Sequence, residues 1–391
     1  MFLKRELDRT LKNIVSVSLL FLIIVLSGCG DAKTPDDTTR SHDTLIVSFT
    51  AVGDLMCHAP NFKAATVAPD SFDFSPMYAE VKDLLSSADF TFGNLETVLD
   101  YRGGKYIGFP LFNSPMDYAR ALKENGFDAI ATVNNHSIDR GEKGILRTID
   151  ILNQYNLPSF GTYTSQKDRD SIRVFLINGL RVAVVGFTYS TNGNPVPKGK
   201  DWLVNRITEP LIAADLKKAA SLNPDLVLCY FHFGEEYQKE PNAYQRNTVN
   251  FAIKHGADII IASHPHVMQP VEFFKPVSGR IDSGFVAYSL GNFLSNQQWR
   301  YSDAGVILNF SVEKTDSLRL RDVSFVPTFC YKGVIDGKLT YRILPSEMYG
   351  DVEKYPFVSA TDRVKIEESL HDTRQIMTQY SNRIRWEQLG R

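Results

Sequence analysis

The chain has 391 residues, of which 43% are hydrophobic and 23% are charged, and its formal net charge is −2. This length accommodates one large domain or two smaller ones, and the composition is that of a globular protein with a sizeable core. The near-neutral charge balance argues against the basic surface that nucleic-acid-binding proteins carry, so we expect no nucleic-acid partner.

The N-terminus has the features of an export signal. Four basic residues lie within the first twelve positions, and an apolar run from Ile14 to Leu26 follows them. The run has the length of a signal-peptide core and is short for a membrane span. It ends in Leu26-Ser27-Gly28-Cys29, which resembles the lipobox of bacterial lipoproteins. We therefore expect a signal peptide over residues 1–28 and lipidation at Cys29, with a plain signal anchor as the alternative.

The elements alternate between strands and helices after residues 29–43, a polar stretch that predicts a flexible tether. In chain order they are strand Leu45–Val52, helix Pro76–Ser87, strand Asp89–Phe92, helix Pro115–Asn125, strand Ala129–Val133, helix Lys143–Tyr155, strands Ile172–Ile177 and Arg181–Gly186, helix Pro210–Ser221, strand Asp225–Phe231, helix Tyr244–His255 capped by Gly256, and strand Asp258–Ala262. Near-continuous apolar strands of this kind favour a sheet that is buried on both faces.

The later part of the chain has a different pattern. Strands Phe285–Ser289, Gly305–Val312 and Leu318–Val326 are predicted to be antiparallel, and Ala360–Tyr380 has the pattern of an amphipathic helix. The sequence therefore predicts an α/β domain over residues 44–330, completed by β-hairpins. Residues 331–391 are predicted to form a C-terminal extension with a packing helix.

The cysteines argue against zinc ribbons and redox motifs, because no two of them have Cys-x-x-Cys spacing. Besides Cys29 there are Cys57, Cys229 and Cys330, an odd number, so at least one of them is unpaired. Cys229 lies within an apolar strand pattern, which predicts a buried free thiol.

Polar groups suited to metal ligation follow five of the predicted strands. In chain order the motifs are Gly53-Asp54 with His58 four residues on, Gly93-Asn94-Leu95-Glu96, Asn134-Asn135-His136 with Asp139 behind it, His232-Phe233-Gly234-Glu235, and Ser263-His264-Pro265-His266. The carboxyl ends of the strands are where open α/β sheets collect ligands. Imidazole and carboxylate groups are the ligands that a divalent transition metal prefers. Two such ions held close together need a bridging carboxylate, for which Asp54 and Glu96 are the candidates.

This order of motifs resembles the capsule synthesis, or poly-γ-glutamate biosynthesis, CapA family. The resemblance covers Leu45 to Leu294 and includes the segment Tyr288-Ser289-Leu290-Gly291-Asn292-Phe293. The family pattern in turn resembles a divergent calcineurin-like metallophosphoesterase site. The resemblance therefore implies a four-layer α/β/β/α sandwich of the metallo-dependent phosphatase type.

The resemblance also implies a role for each motif residue. Asp54 and His266 would bind one metal, Glu96 would take the place of the usual bridging aspartate, and Asn135, His232 and His264 would bind a second metal. His136 would act as the catalytic proton donor. The implied cofactors are divalent metal ions (manganese, iron or zinc), up to two per chain. Two departures from the scaffold pattern stand out: Met56 replaces the histidine of the first Asp-x-His motif, and the bridge is Glu rather than Asp.

Four further positions are less specific. His58 and Glu235 are left as metal ligands or as partners that orient a ligand histidine. Asp139 is expected either to contact substrate or merely to form the entry of the following helix, and the helix entry is favoured. Pro265 is expected to hold the backbone of the preceding residue extended, so that both neighbouring imidazoles leave on one side.

For function, the resemblance implies synthesis, transfer or export of an anionic capsule polymer of the poly-γ-glutamate type. The protein would be a lipoprotein of the cell envelope that faces outside the cytoplasm, with hydrolase-like or transferase-like activity assisted by metal. Its partners would be the anionic polymer or a phosphorylated substrate, the membrane through the lipid anchor, and a membrane polymer synthase. Two alternatives stay open: a metal-dependent phosphoesterase acting on nucleotides or envelope intermediates, and a non-catalytic polymer-binding lipoprotein.

Overall fold

The structure is a computed structural model that describes residues 44–389. The predicted signal peptide, the tether and Cys29 lie outside the described residues. The helices are α1 (Ala59–Ala64), α2 (Lys82–Ser86), α3 (Asp117–Glu124), α4 (Gly141–Gln154), α5 (Gln166–Arg169), α6 (Glu209–Ser221), α7 (Ala243–Lys254) and α8 (Ala360–Thr378). Short 3₁₀ helices cover Ser75–Tyr78, Asp201–Leu203 and Ser346–Gly350.

The strands fall into two main sheets and two short pairs. They are β1 (Leu45–Leu55), β2 (Thr66–Ala68), β3 (Ser71–Phe72), β4 (Phe90–Leu95), β5 (Leu99–Asp100), β6 (Ser114–Pro115), β7 (Ala129–Ala131), β8 (Ser159–Phe160), β9 (Arg173–Ile177), β10 (Leu180–Thr188), β11 (Leu226–His232), β12 (Ile259–Ser263), β13 (Met268–Phe274), β14 (Gly284–Leu290), β15 (Asn292–Leu294), β16 (Ala304–Lys314), β17 (Leu318–Ile335), β18 (Lys338–Pro345) and β19 (Arg385–Trp386).

The larger sheet has nine strands in the order β18-β17-β16-β1-β4-β7-β8, with β15 beside β1 and β19 beside β17. The smaller sheet has six strands in the order β13-β14-β12-β11-β10-β9. In each sheet the central strands that carry the motifs run parallel, and the added strands from late in the chain are largely antiparallel. The parallel centres bring the carboxyl ends of β1, β4 and β7, and of β11 and β12, to common edges.

The two sheets pack face to face, and helices cover their outer faces. One core lies between the sheets and joins side chains such as Phe49 of β1 to Leu228 of β11. The opposite face of the larger sheet packs on α3 and α4, and the opposite face of the smaller sheet packs on α6 and α7. This is the predicted four-layer α/β/β/α sandwich, so the predicted fold class is confirmed.

Local sequence signals explain where the covering helices begin and end. The Asn242 side chain accepts a hydrogen bond from the backbone N–H of Gln245, and the Gln245 side-chain oxygen accepts one from the backbone N–H of Asn242, so α7 begins with a capping box. The same helix ends before Gly256, whose φ of 100° is the left-handed conformation that glycine adopts without strain.

Several details differ from the predicted elements. The helix expected over Pro76–Ser87 is interrupted, because the φ of Val81 is −122° and leaves the helical region between a 3₁₀ turn and α2. The expected domain end at residue 330 falls inside β17, which continues to Ile335 and pairs with β18. That boundary is corrected: residues 331–345 complete the larger sheet. The predicted C-terminal helix corresponds to α8, which packs beside β13 and β17.

Two other expectations concern cysteines and membrane spans. Within the described part of the chain, Cys57, Cys229 and Cys330 are all free and buried, which confirms the predicted free thiol at Cys229. No helix among residues 44–389 combines the length and the apolar composition required to cross a bilayer.

A bulge in β1 sets the position of Asp54. The pairing of β1 with β4 shifts register between Val52 and Asp54, so Gly53 is the extra residue. The backbone N–H of Asp54 donates a hydrogen bond of 2.9 Å to the carbonyl oxygen of Gly291. A Cβ atom on Gly53 would lie 1.9 Å from that carbonyl oxygen. The approach of these two backbones therefore requires glycine at position 53.

We predict that Gly53→Ala destabilises the fold and displaces Asp54, because backbone atoms must move to relieve the clash. The expected loss in the free energy of unfolding is about 1–3 kcal/mol, the usual cost of overpacking. Urea denaturation measures this loss. Gly350→Ala is the matched control, since a Cβ there meets nothing within 4 Å, and it should change stability by less than about 0.5 kcal/mol. Equal stability of the Gly53→Ala chain and the wild type would contradict this account of the bulge.

Candidate metal centre

The five sequence motifs converge at neighbouring strand ends. Asp54 lies near the end of β1, Glu96 directly follows β4, and His232 is the last residue of β11. The remaining residues follow β7 and β12 within a few positions. The predicted metal-binding and catalytic residues are all buried, with at most 4% of each exposed: Asp54, Glu96, Asn135, His136, His232, His264 and His266.

Glu96 is shared by two groups of potential ligand atoms. Asp54, Glu96 and His266 form one group, and Glu96, His232 and His264 form the other; within each group the ligand atoms lie within 4.8 Å of one another. Glu96 Oε1 lies 3.8 Å from His266 Nε2 and 3.7 Å from His232 Nε2. Within residues 44–389 this buried oxygen has no hydrogen-bond partner. The predicted bridging role of Glu96 requires a carboxylate placed between two groups of ligands in this way.

Asparagine side chains hold the carboxylates in place. The Asn94 amide donates to Asp54 Oδ1 at 2.8 Å and to Glu96 Oε2 at 3.2 Å. The Asn134 amide donates in turn to Asn94 Oδ1 at 3.0 Å and to the carbonyl oxygen of Leu95 at 2.8 Å. The orientation of both acids is therefore fixed by a chain of buried amides that runs between β4 and the segment after β7.

The two acids have opposite pKa shifts. Burial raises the pKa of Asp54, but the hydrogen bond from His266 Nδ1 to Asp54 Oδ2, at 3.0 Å, and the charge of that histidine outweigh burial and leave the pKa below its ordinary value. Burial and the adjacent Asp54 charge raise the pKa of Glu96 well above its ordinary value. Without a cation beside it, the pKa of Glu96 therefore keeps this carboxyl protonated to a higher pH than an ordinary glutamate.

The histidines of the second group are held neutral. Burial and the neighbouring imidazoles lower the pKa of His232 well below its ordinary value, and the same two causes lower the pKa of His264 to about 3. Neutral imidazole is the form that binds metals. His232 Nε2, the nitrogen that faces Glu96 Oε1, also lies 2.9 Å from the amide oxygen of Asn135.

The backbone around Pro265 differs from the sequence-based expectation. The residue before a proline was expected to be extended, yet φ is 108° at His264 and 58° at His266. Positive φ is costly for histidine and persists only where the surrounding structure imposes it. The burial of both histidines and the hydrogen bond between His266 and Asp54 provide that constraint. The two imidazoles therefore reach the centre through a strained turn rather than through an extended segment.

His136 forms a buried pair with Asp139. His136 Nδ1 lies 2.7 Å from Asp139 Oδ2, which also accepts a hydrogen bond from the backbone N–H of Phe112. Asp139 therefore does more than form the helix entry, which was the favoured of the two expectations. Because the carboxylate occupies Nδ1, Nε2 is the nitrogen left to exchange a proton. Nε2 lies 3.4 Å from the amide nitrogen of Asn192, and that amide's oxygen accepts a hydrogen bond from Asn135.

His58 and Glu235, the two less specific candidates, belong to neither of these two ligand groups. His58 Nδ1 accepts a hydrogen bond from the backbone N–H of Asn296, and burial, with the charges of nearby histidines, lowers its pKa to about 4. Glu235 is exposed. Its neighbour Glu236 instead forms a third group of possible ligands with His264 and His266.

Sequence reasoning missed the groups that support the centre. Asn94 and Asn134 were part of the motifs but received no role, and Asn192 lies in a loop without a motif. Asp139 had one usable signal, because its position three residues after His136 allows a side-chain contact within one turn. Tyr189, whose ring centroid lies 4.5 Å from that of His264, had no signal in the sequence.

The residues present fit a divalent metal. Their donor set combines carboxylate oxygen, neutral imidazole and amide oxygen, the ligands that transition metals prefer. The unpaired Glu96 Oε1 is the strongest observation, since a buried carboxylate oxygen without a partner is costly unless a cation stands beside it. Asp54, Glu96 and His266 would hold one ion, and Glu96, Asn135, His232 and His264 a second.

Comparisons with known proteins confirm the resemblance to the capsule synthesis family. Residues 48–297 match the family model described as bacterial capsule synthesis protein PGA_cap. The chain is 26% identical over 380 residues to the PGA biosynthesis protein CapA of Bacillus subtilis (strain 168), covering 87% of this chain and 94% of that protein. It is 28% identical over 324 residues to the capsule biosynthesis protein CapA of Bacillus anthracis, covering 78% of this chain and 74% of that protein.

Among solved structures, the NAD nucleotidase NadN of Haemophilus influenzae matches with a TM-score of 0.46 and 12% sequence identity. The match covers 88% of this chain and 58% of that chain, so this chain spans less than two thirds of the nucleotidase.

We predict that a divalent metal stabilises the protein more strongly at high pH than at low pH. Glu96 must lose a proton to bind metal, and its raised pKa means that protons compete until the pH is well above the usual range of a carboxylate. His232 and His264 are already neutral above their lowered pKa values, so they release no proton when metal binds and do not change this pH dependence. The rise in melting temperature caused by Mn²⁺ or Zn²⁺ should therefore be larger at about pH 8 than at about pH 5.5.

Glu96→Gln tests the same carboxylate directly. The variant should lose most of the metal-induced rise in melting temperature, which corresponds to about 3–4 kcal/mol at metal concentrations of 100 to 1,000 times Kd. Without metal it should be at least as stable as the wild type at about pH 8, since a carboxyl with a raised pKa destabilises the fold above its unfolded pKa. The exposed Glu353→Gln is the control. An unchanged metal response in Glu96→Gln would refute the ligand assignment.

Proposed function

The chain belongs to the bacterial capsule synthesis family, and we propose that it acts at the cell envelope in the synthesis, transfer or export of an anionic capsule polymer of the poly-γ-glutamate type. The family match over residues 48–297 supports this proposal. So do the printed functions of two relatives, PGA biosynthesis in Bacillus subtilis and capsule biosynthesis in Bacillus anthracis.

We propose that the protein is an enzyme whose centre holds up to two divalent ions. The observation that carries this proposal is the buried, unpaired Glu96 Oε1 between two groups of ligand atoms. When bound, the ions would polarise an acyl or phosphoryl oxygen of the substrate as Lewis acids. The substrate bond to be cleaved would therefore lie next to Glu96, at the common edge of the two sheets.

The residues around the metal ligands would position groups and move a proton. His136 Nε2 would give a proton to the leaving atom of the substrate, while Asp139 holds the ring in one orientation through Nδ1. Asn192, which contacts both His136 and Asn135, would hold the proton donor beside the metal ligands. Asn94 and Asn134 would keep both acids aimed at the same point.

A metal-dependent phosphoesterase acting on nucleotides or envelope intermediates is the second candidate. It is favoured by one observation, the carboxylate shared between two ligand groups, because a pair of metals suits phosphoryl displacement. The two candidates differ in substrate rather than in the assignment of the ligands. Turnover of a phosphate ester by the purified chain, with no effect of the variants on capsule polymer in cells, would favour the phosphoesterase.

We further propose that the protein is a lipoprotein anchored through Cys29 and facing outside the cytoplasm. The lipobox-like Leu26-Ser27-Gly28-Cys29 after an apolar run supports this anchor. The anchor would place the catalytic domain beside a membrane polymer synthase, with residues 29–43 as the tether. Two or three acyl chains are sufficient for stable membrane anchoring.

We predict that His136→Ala and His264→Ala fail in different ways. His136→Ala should keep its metal and fold but lose about 10²–10⁴-fold in kcat, the usual contribution of a general acid. His264→Ala should lower the metal content, because it removes an imidazole from a site with few ligands. A p-nitrophenyl ester should partly rescue His136→Ala, since p-nitrophenolate leaves without a proton.

The exposed His255→Ala is the control and should match the wild type in kcat and in metal content. Elemental analysis and turnover, measured on the same preparations, separate the two roles. Equal metal loss in His136→Ala and His264→Ala would show that His136 is a ligand rather than a proton donor. If every variant leaves polymer production in cells unchanged and the purified chain turns over no substrate, the protein is a non-catalytic polymer-binding lipoprotein.

We predict that Cys29 carries the lipid. Cells grown with a clickable fatty acid should label the wild-type chain, and Cys29→Ala should lose that label, because the thiol is the acceptor of the diacylglycerol. Cys57→Ala is the matched control and should label normally, since Cys57 is buried in the folded domain. Labelling of Cys29→Ala at the wild-type level would exclude the anchor.

A further inference from the structure

A separate cavity lies between helix α8 and the segment that leads into β16. Its volume is about 170 Å³, and it shares no residue with the two ligand groups of the metal centre. Met268 and Ala304 supply apolar walls. Polar and charged side chains supply the rest of the lining: Gln298, Arg300, Tyr301 and Asp303 before β16, and Lys365, Glu368, Ser369 and Asp372 from α8.

The charges around this cavity are not balanced. Arg300 is bound by two carboxylates of α8, at 2.9 Å from Glu368 and 2.9 Å from Asp372. Its guanidinium is therefore already neutralised. Lys365 is largely exposed and pairs with Asp362 at 3.6 Å. Asp303 is thus left as the lining carboxylate for which the described residues provide no ion pair.

Asp303 and Ser369 are both buried and face the cavity as polar groups. Each residue is only 7% exposed. The Ser369 hydroxyl has no hydrogen-bond partner within residues 44–389. Burial raises the pKa of Asp303 to about 6. A hydrogen bond from its own backbone N–H and the charge of Lys365 lower the pKa but do not offset the burial. At about pH 8 Asp303 is therefore a buried anion, and it lines the same cavity as a hydroxyl without a partner among the described residues.

The occupant that satisfies both groups is an organic cation with hydrogen-bond donors. A metal ion is disfavoured, because the carboxylates here do not approach one another as a ligand group. A primary ammonium has three donors, which suit a carboxylate and a hydroxyl oxygen. The cavity is close in size to one of about 150 Å³ that holds benzene, so a molecule of about six non-hydrogen atoms fits it.

We propose that this cavity binds a small primary ammonium compound, with its charged end at Asp303 and Ser369 and its aliphatic body against Met268 and Ala304. The site is independent of the metal centre and of the proposed envelope function. It adds a second ligand, of opposite charge to the anionic polymer, to a chain whose formal net charge is −2.

Calorimetric titration of the full-length chain in detergent at about pH 8 tests the site, with n-pentylammonium chloride as the probe. The wild type should bind it, and Asp303→Asn should weaken binding by about 10-fold to 100-fold, since a charged hydrogen bond is lost. Ser369→Ala should weaken binding several-fold without loss of stability, because its hydroxyl has no partner in the described structure. Asp322→Asn, an acid of the exposed pair with Arg385, should bind normally.

Neutral n-pentanol separates charge recognition from simple filling of an apolar space. It should bind at least 10-fold more weakly than n-pentylammonium, since it lacks the charge that pairs with Asp303. Absence of pentylammonium binding by the wild type would overturn the proposal. Equal binding by the wild type and both cavity variants, or equal binding of pentanol, would overturn it as well. The Ser369→Ala result keeps the test decisive if Asp303→Asn is poorly folded.

Discussion

Two carboxylates that are fully buried side by side repel one another, and the centre of this molecule is organised around that repulsion. Asp54 and Glu96 are both 0% exposed, and one amide, that of Asn94, donates to both. His266 offsets the charge of Asp54, whereas Glu96 Oε1 has no partner among the described residues. Such an arrangement is costly in a protein that binds no cation. A pair of divalent ions around Glu96 would turn the same arrangement into a favourable one.

The rest of the sandwich supplies the rigidity that this arrangement requires. The bulge at Gly53 aims Asp54, and the close approach of Gly53 to Gly291 ties β1 to β15. The turn that carries His264 and His266 accepts a strained backbone in order to deliver two imidazoles from one strand end. Strain of this kind is maintained only where packing and hydrogen bonds impose it, and it clusters at functional sites. The two sheets therefore hold a small set of polar side chains in fixed positions.

Periodicity predicted most of the fold, and the strand-end argument predicted which residues meet. Neither could predict which side chains form hydrogen bonds with one another, because those contacts depend on how the sheets pack. Asn94 had no visible role until its amide was seen between two acids, and Asp139 became a partner of His136 only through local turn geometry. The left-handed backbone at Gly234, with φ of 117°, is followed by an exposed Glu235, while the next residue, Glu236, reaches the histidines. Strands as short as β15 and β19 lack a period long enough to detect.

The central claim is that Glu96 bridges two divalent ions. Anomalous diffraction at the metal absorption edge, from crystals of the protein loaded with Mn²⁺ or Zn²⁺, measures this directly. The account predicts two anomalous peaks that share Glu96, one also in contact with Asp54 and His266 and the other with His232 and His264. Absence of any peak at these residues, or metal bound elsewhere while Glu96 stays uncoordinated, would contradict it.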